Sequence, residues 1–274
     1  MGTRLFNTWI RRMLAKDFHR VMLASECMPL IERVRAEPGP LIGLLNHSSW
    51  WDPLLGMYLA NRFAPHRHLL APMELAVFRK FGMFKKLGIF GFEPDHPESL
   101  DVLKAYVIGC IERDPATTFW LTPQGQFADQ RTVIRLRPGA GAIASAIAPR
   151  FGRPVVIAVA IEYVFWVDRK PEVIMRATEV SYDGDTSSLL GWTRAMTTAM
   201  RDNAARLAEL AMARDDAPFT TLIGPAKASG KVNLFYDLWL KATGRAGAIQ
   251  AIDRSPRRAV NSQPAGPDAG VTPR

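Results

Sequence analysis

Leu41-Ile42-Gly43-Leu44-Leu45-Asn46-His47-Ser48-Ser49-Trp50-Trp51-Asp52-Pro53 is the stretch from which the fold and the chemistry of this chain are read. An apolar, strand-like run delivers a histidine, an aspartate follows five residues later, and Asp-Pro opens the helical pattern Leu54-Leu55-Gly56-Met57-Tyr58-Leu59. No regular element brings His47 and Asp52 together. Five residues advance roughly 140° round a helix axis, and in a strand an odd offset puts the two side chains on opposite faces. A contact therefore requires a turn between a strand and a helix. An imidazole oriented by a carboxylate is the minimum equipment for taking a proton from a hydroxyl near neutral pH. Aspartate before proline is equally an ordinary helix N-cap, with Pro53 at the first helical position. On this stretch alone both readings stand.

Outward from it the chain alternates in a βα manner. Strands are expected near 41–46, 67–71, 88–92, 117–122 and 154–160, continuing through 161–166 and 172–178. Helices are expected near 53–62, 73–86, 97–113, 139–150, 187–213 and 231–243. The stripe Leu189, Trp192, Met196, Met200, Leu207 and Leu210 reads as core. Ahead of the alternation, Phe6, Trp9, Ile10, Met13, Leu14, Phe18, Val21 and Met22 recur at helical spacing beside Arg11, Arg12, Lys16 and Arg20. That pattern fits an interfacial helix lying on a membrane or a terminal helix docked on its own domain. From about Gly244 onward, Gly, Ala, Pro, Ser, Arg and Asp predominate, the composition of a disordered tail. The expected organisation is an amphipathic helical segment over 1–35, an α/β domain over 36–243 and a disordered tail over 244–274. The domain has a mostly parallel central sheet with helices on both faces and further helices at its C-terminal end.

Composition narrows the class. Apolar residues are 48% and charged residues 22% of 274, so a large core is available and disorder is not the default. No run reaches the ~18–20 apolar residues of a membrane-spanning helix, and Arg11, Arg12, Lys16 and Asp17 interrupt any signal-like start. Cys27 and Cys110 lie far apart without metal-ligand spacing and read as free cytosolic thiols. His66, His68 and His96 lack metal-ligand company. The formal charge of +9 implies an anionic partner. From Arg62 to Lys86, six Lys or Arg face one acid, Glu74, interleaved with Phe63, Phe78, Phe81 and Phe84. Basic residues mixed with aromatics suit a membrane interface or a nucleic-acid groove. Gly224 to Lys231 has one residue too many for a phosphate loop and Val232 where Ser or Thr is required. No Gly-x-Ser-x-Gly is present to make a nucleophile of Ser48 or Ser49.

His47 to Asp52, taken with the segments that follow in order, resembles the glycerolipid O-acyltransferase superfamily. Leu87-Gly88-Ile89-Phe90-Gly91-Phe92-Glu93 is similar to its second motif and Thr122-Pro123-Gln124-Gly125 to its third. Arg137-Pro138-Gly139-Ala140 is similar to the start of the helix that follows, and Arg153-Pro154-Val155-Val156-Ile157-Ala158-Val159-Ala160 to the fourth motif. The resemblance covers about half the chain, roughly residues 40–165. The chain departs from the pattern at Pro94 and Phe127, where arginines are usual, at Gln124 for a glutamate, and at Ala158 for a proline.

The resemblance implies transfer of a fatty acyl group from acyl-CoA or acyl carrier protein to the hydroxyl of a lysophosphatidate or related lysolipid. It implies no metal and no cofactor beyond that thioester co-substrate. His47 is the general base and Asp52 its orienting partner. Gln124 is expected to bind substrate or brace its loop, and the backbone about Gly125 to supply oxyanion donors. Arg131, Arg135 and Arg137 are candidates to replace the missing cations, with a solvated loop as the plainer reading of Arg131. Trp50 and Trp51 face lipid, line an acyl pocket or belong to the core. The altered second and third motifs also suit a neutral or glycosylated acceptor, and hydrolysis results if water replaces the alcohol. The expected location is peripheral, on the cytoplasmic face of the cell membrane, with no nucleic-acid partner. A non-catalytic basic membrane- or nucleic-acid-binding protein accounts for the charge but leaves the ordered motifs unexplained.

Overall fold

In the computed structural model, residues 2–224 are described apart from 81, 97 and 167, together with 242 and 243. The elements in chain order are α1 (Gly2–Asp17), β1 (Val21–Ala24), α2 (Met28–Ala36), β2 (Leu41–Leu45), α3 (Asp52–Phe63), β3 (His68–Glu74), α4 (Leu75–Lys80), β4 (Ile89–Phe92), α5 (Ser99–Arg113), β5 (Thr117–Leu121), α6 (Gly139–Phe151), β6 (Val155–Val164), β7 (Glu172–Glu179), α7 (Leu189–Ala213) and β8 (Phe219–Ile223). The strands form one eight-stranded sheet in the order β4-β3-β5-β2-β6-β7-β1-β8. Pairing is parallel throughout except where β7 returns beside β6 and β8 beside β1. This is the expected α/β architecture.

β2 sits at the centre, and its five residues are all buried, as a strand covered on both faces must be. On one face, α1 and α3 pack through Phe6, Ile10, Leu14, Leu54, Leu55 and Tyr58, with α2 beside them. On the other, α5, α6 and α7 pack through Val107, Ile111, Ile143, Ile147, Trp192 and Met196. Gly43 is required in the middle of β2. A Cβ there would stand 2.4 Å from the Trp120 ring, which packs against the strand.

Several elements depart from the sequence expectation. The helical stripe through Val21 and Met22 ends at Asp17 instead. Val21-Met22-Leu23-Ala24 is a strand buried at every position between β7 and β8, because four consecutive apolar residues satisfy either period. The boundary at residue 35 accordingly falls inside one compact unit, Met1–Ala226. β8 and the helix over 28–36 escaped the periodicity reading altogether. The expected helix over 73–86 is divided: β3 runs on to Glu74, α4 is short, and a 3-10 segment spans Gly82–Leu87. Of the expected helix over 231–243, residues 231–241 lie outside the described residues, as does the tail from 244.

The orientation of α1 decides between its two readings. Ile10 and Leu14 are fully buried against the domain, while Trp9, Arg11, Arg12 and Lys16 point outward. The apolar stripe is core, so it is not available to enter lipid, and the helix is a docked one. Arg20, just past its end, ties the element to the sheet through Asp216 and the fully buried Glu172. Replacing Ile10 with alanine should lower stability by about 2–4 kcal/mol, the range for emptying a closed apolar site, as read from urea denaturation. A loss below about 0.5 kcal/mol, the size of an ordinary surface change, would show that α1 is not packed here.

Candidate active site

The site lies at the C-terminal ends of the parallel strands, where open α/β sheets gather ligands. Register explains which loops meet there. β2 pairs with β5 so that Leu44 stands beside Leu121; three residues further along each chain are His47 and Gln124. The Gln124 side chain accepts from the His47 backbone N–H at 2.9 Å, and the Ala128 N–H donates to the His47 carbonyl at 2.8 Å. The loop after β5 is thus sewn to the histidine from both sides. On the opposite side β6 pairs with β2 to Leu45↔Val159 and then runs on to Val164. Asn46 continues the ladder with its side chain, donating to the Ile161 carbonyl at 3.0 Å and accepting from its N–H at 2.8 Å.

The turn between β2 and α3 is folded around Asp52. Its carboxylate has no exposed surface. Oδ2 accepts from the Ser48 and Ser49 backbone N–H groups, each at 2.7 Å, and faces His47 Nδ1 at 3.2 Å. Oδ1 accepts the Tyr163 hydroxyl at 2.5 Å. Every partner is a donor, which suits an acceptor-only carboxylate. Asp52 is in the first turn of α3 with Pro53 behind it, where the helix dipole favours negative charge. It is not the N-cap: Trp51 holds that position and no side chain caps the helix. The carboxylate is turned away from its own helix and back onto the loop, so the capping reading is set aside in favour of the His–Asp contact.

Tyr163 was not found from the sequence. It stands 111 positions after Asp52, and only the overrun of β6 past the end of β2 brings it level with the turn. Burial, and next the facing Asp52, push its phenol far above the ordinary tyrosine range. Phe18 stacks on its ring at 5.8 Å and meets Trp51 edge-on at 5.1 Å. The linker after α1 thereby closes the apolar side of the turn. Trp51 joins this packing, whereas Trp50 is 57% exposed and lies against Trp51 at 4.3 Å.

Of the other candidate residues, Gln124 braces the loop. Gly125 occupies a turn with φ +70°, and a Cβ there would meet the Arg137 side chain at 2.7 Å. Its N–H donates to the Thr122 carbonyl at 3.1 Å, which engages that amide in the turn. Arg137 reaches across to Asp95 at 2.8 Å, linking the segment before α6 to the turn after β4. Arg131 is not brought to the imidazole. Its side chain is 85% exposed and grips Asp129 side-on, which holds that carboxyl well below the usual range. This is the solvated loop. Neither neighbouring serine presents its hydroxyl to His47: Ser49 Oγ accepts from Trp51 N–H, and Ser48 Oγ is buried without a hydrogen-bond partner. Phe127 lies over the His47 ring, centroids 4.2 Å apart. Among the described residues no group of three His, Cys, Asp or Glu is placed to hold a metal ion.

No protein-family model matches the chain, and no curated protein matches it significantly in sequence. Among solved structures it is similar to the 1-acyl-sn-glycerophosphate (LPA) acyltransferase PlsC from Thermotoga maritima, with a TM-score of 0.53 over 75% of this chain and 79% of that one. The two chains share the α/β fold. Their sequences are 15% identical, so the likeness is one of architecture.

The Tyr163–Asp52 bond can be tested alone. Tyr163→Phe should lower stability by about 1.5–3 kcal/mol, the usual worth of a hydrogen bond to a charged group. Raising the folded protein to about pH 11, beyond the ordinary tyrosine pKa, should give the same phenolate absorbance in the variant as in the parent. One phenolate fewer in the variant would mean that Tyr163 is solvated and free to ionise.

Proposed function

We propose that the chain is an O-acyltransferase that moves a fatty acyl group from a thioester of coenzyme A or acyl carrier protein to a hydroxyl of a lysolipid acceptor. The contact of His47 Nδ1 with Asp52 Oδ2 carries this reading. Because Asp52 only accepts, Nδ1 bears the proton and the lone pair lies on Nε2, the atom that a substrate hydroxyl meets. In this mechanism Nε2 takes that proton as the alcohol oxygen attacks the thioester carbonyl. The tetrahedral intermediate then expels the thiolate, which receives the proton from the imidazolium. Asp52 stabilises the imidazolium without being protonated itself, the lower part of a triad with no protein nucleophile.

The surroundings support it. The fold is that of a solved lysophosphatidate acyltransferase. On the same face of the sheet as α2 and α3, an apolar cavity of about 70 Å³ is lined by Leu30, Val34, Leu59 and Trp120 among others, and by no residue of the 46–53 turn or the 122–128 loop. No described helix is long and apolar enough to cross a membrane. Peripheral association with the cytoplasmic face would then rest on the outward Trp9, Arg11 and Arg12 of α1 and on exposed rings about the site, not on the stripe of α1.

The test is acyl transfer by purified protein from labelled acyl-CoA and acyl carrier protein to a set of lysolipids, read by mass spectrometry. His47→Ala should reduce turnover by roughly 10²–10⁴-fold, the contribution of a general base, with an unchanged circular dichroism spectrum. Near-normal turnover in that variant would rule the mechanism out.

A further inference from the structure

We infer that the acceptor hydroxyl belongs to a sugar-bearing, uncharged lipid headgroup and not to a phosphate-bearing one, an inference that rests on the acyltransferase reading above. The surfaces beside the imidazole carry it. Phe127 covers the His47 ring yet remains 62% exposed, and Trp50 leaves more than half of its surface in water three residues beyond the histidine. Neither ring is loose. Phe127 lies on the loop that the His47 backbone grips through Gln124 and Ala128. Trp50 is backed by Trp51, which Phe18 and the core hold in turn. Large aromatic faces kept in water by a rigid frame, next to a buried carboxylate–imidazole pair, are characteristic of a binding surface.

The chemistry of that surface suits a sugar. The faces of aromatic rings carry negative potential, and the C–H faces of a pyranose carry positive potential, so the two stack while the hydroxyls stay free at the edge. One such hydroxyl is what His47 would deprotonate. Phosphate needs instead a fork of uncommitted donors. Two of the arginines of this segment are already engaged with carboxylates: Arg131 with Asp129, by its backbone N–H and by two side-chain bonds, and Arg137 with Asp95. Arg135 between them is exposed.

The experiment compares initial rates of acyl transfer from acyl-CoA to an alkyl glucoside, a monoacylglycerol and a lysophosphatidate of matched chain length. For the unaltered protein, kcat/KM for the glucoside should exceed that for lysophosphatidate by about ten-fold or more, a separation within reach of pocket contacts. Trp50→Ala and Phe127→Ala should each raise KM for the glucoside by roughly ten-fold, with kcat and the rate on lysophosphatidate changing far less. Preference for lysophosphatidate in the unaltered protein would overturn the inference and leave the acyltransferase reading intact. So would equal use of monoacylglycerol and glucoside, or equal losses on all acceptors in both variants. Transfer to none of the three would overturn the acyltransferase reading and this inference with it.

Discussion

The buried carboxylate of Asp52 is the constraint around which the rest is arranged. A carboxylate removed from water is costly unless donors replace its hydration, and here they come from three places: two backbone amides of the turn, the imidazole of His47, and the hydroxyl of Tyr163 in β6. Each donor fixes something. The amides of Ser48 and Ser49 set the shape of the turn between β2 and α3. Tyr163 ties that turn to a strand far away in sequence. What remains for His47 is a defined orientation, with Nδ1 facing the carboxylate.

Parallel register does the assembly. With Leu44 beside Leu121 and Leu45 beside Val159, the loops after β2 and β5 emerge together and β6 projects beyond them. A shift of one residue would turn the buried side chains of β2 to the opposite face and would separate Gln124 from the His47 amide. The close stacking of Trp120 on Gly43 is a local pin for that register. Polar contacts at the strand ends complete it: Asn46 bridges to Ile161, and Asn203 of α7 donates to the Ala158 and Arg176 carbonyls between β6 and β7.

Legibility differed between the centre and the edges. The central strands and long helices were read near their observed limits because they carry either continuous apolar runs or a clear helical stripe. The edge of the sheet was not. Val21 to Ala24 merged into the stripe of α1, and Phe219 to Ile223 is too short and too mixed to stand out. Which way α1 faces was likewise beyond periodicity, since an amphipathic stripe states that one face is apolar and not what it meets. In the candidate site, His47, Asp52 and Gln124 were legible. Tyr163, the engagement of the Gly125 amide and the pairing of Arg131 with Asp129 were not.

The sequence by itself determined the α/β class, the order of the central elements and the need for a turn linking His47 to Asp52, because these follow from local periodicity and from spacing along the chain. Tertiary structure alone decided that Asp52 bonds outward instead of capping its helix, that Tyr163 completes its shell, and that α1 turns its apolar side inward. Those outcomes depend on which strands lie side by side and how far each projects. That is a property of the register between distant segments, and no local pattern encodes it.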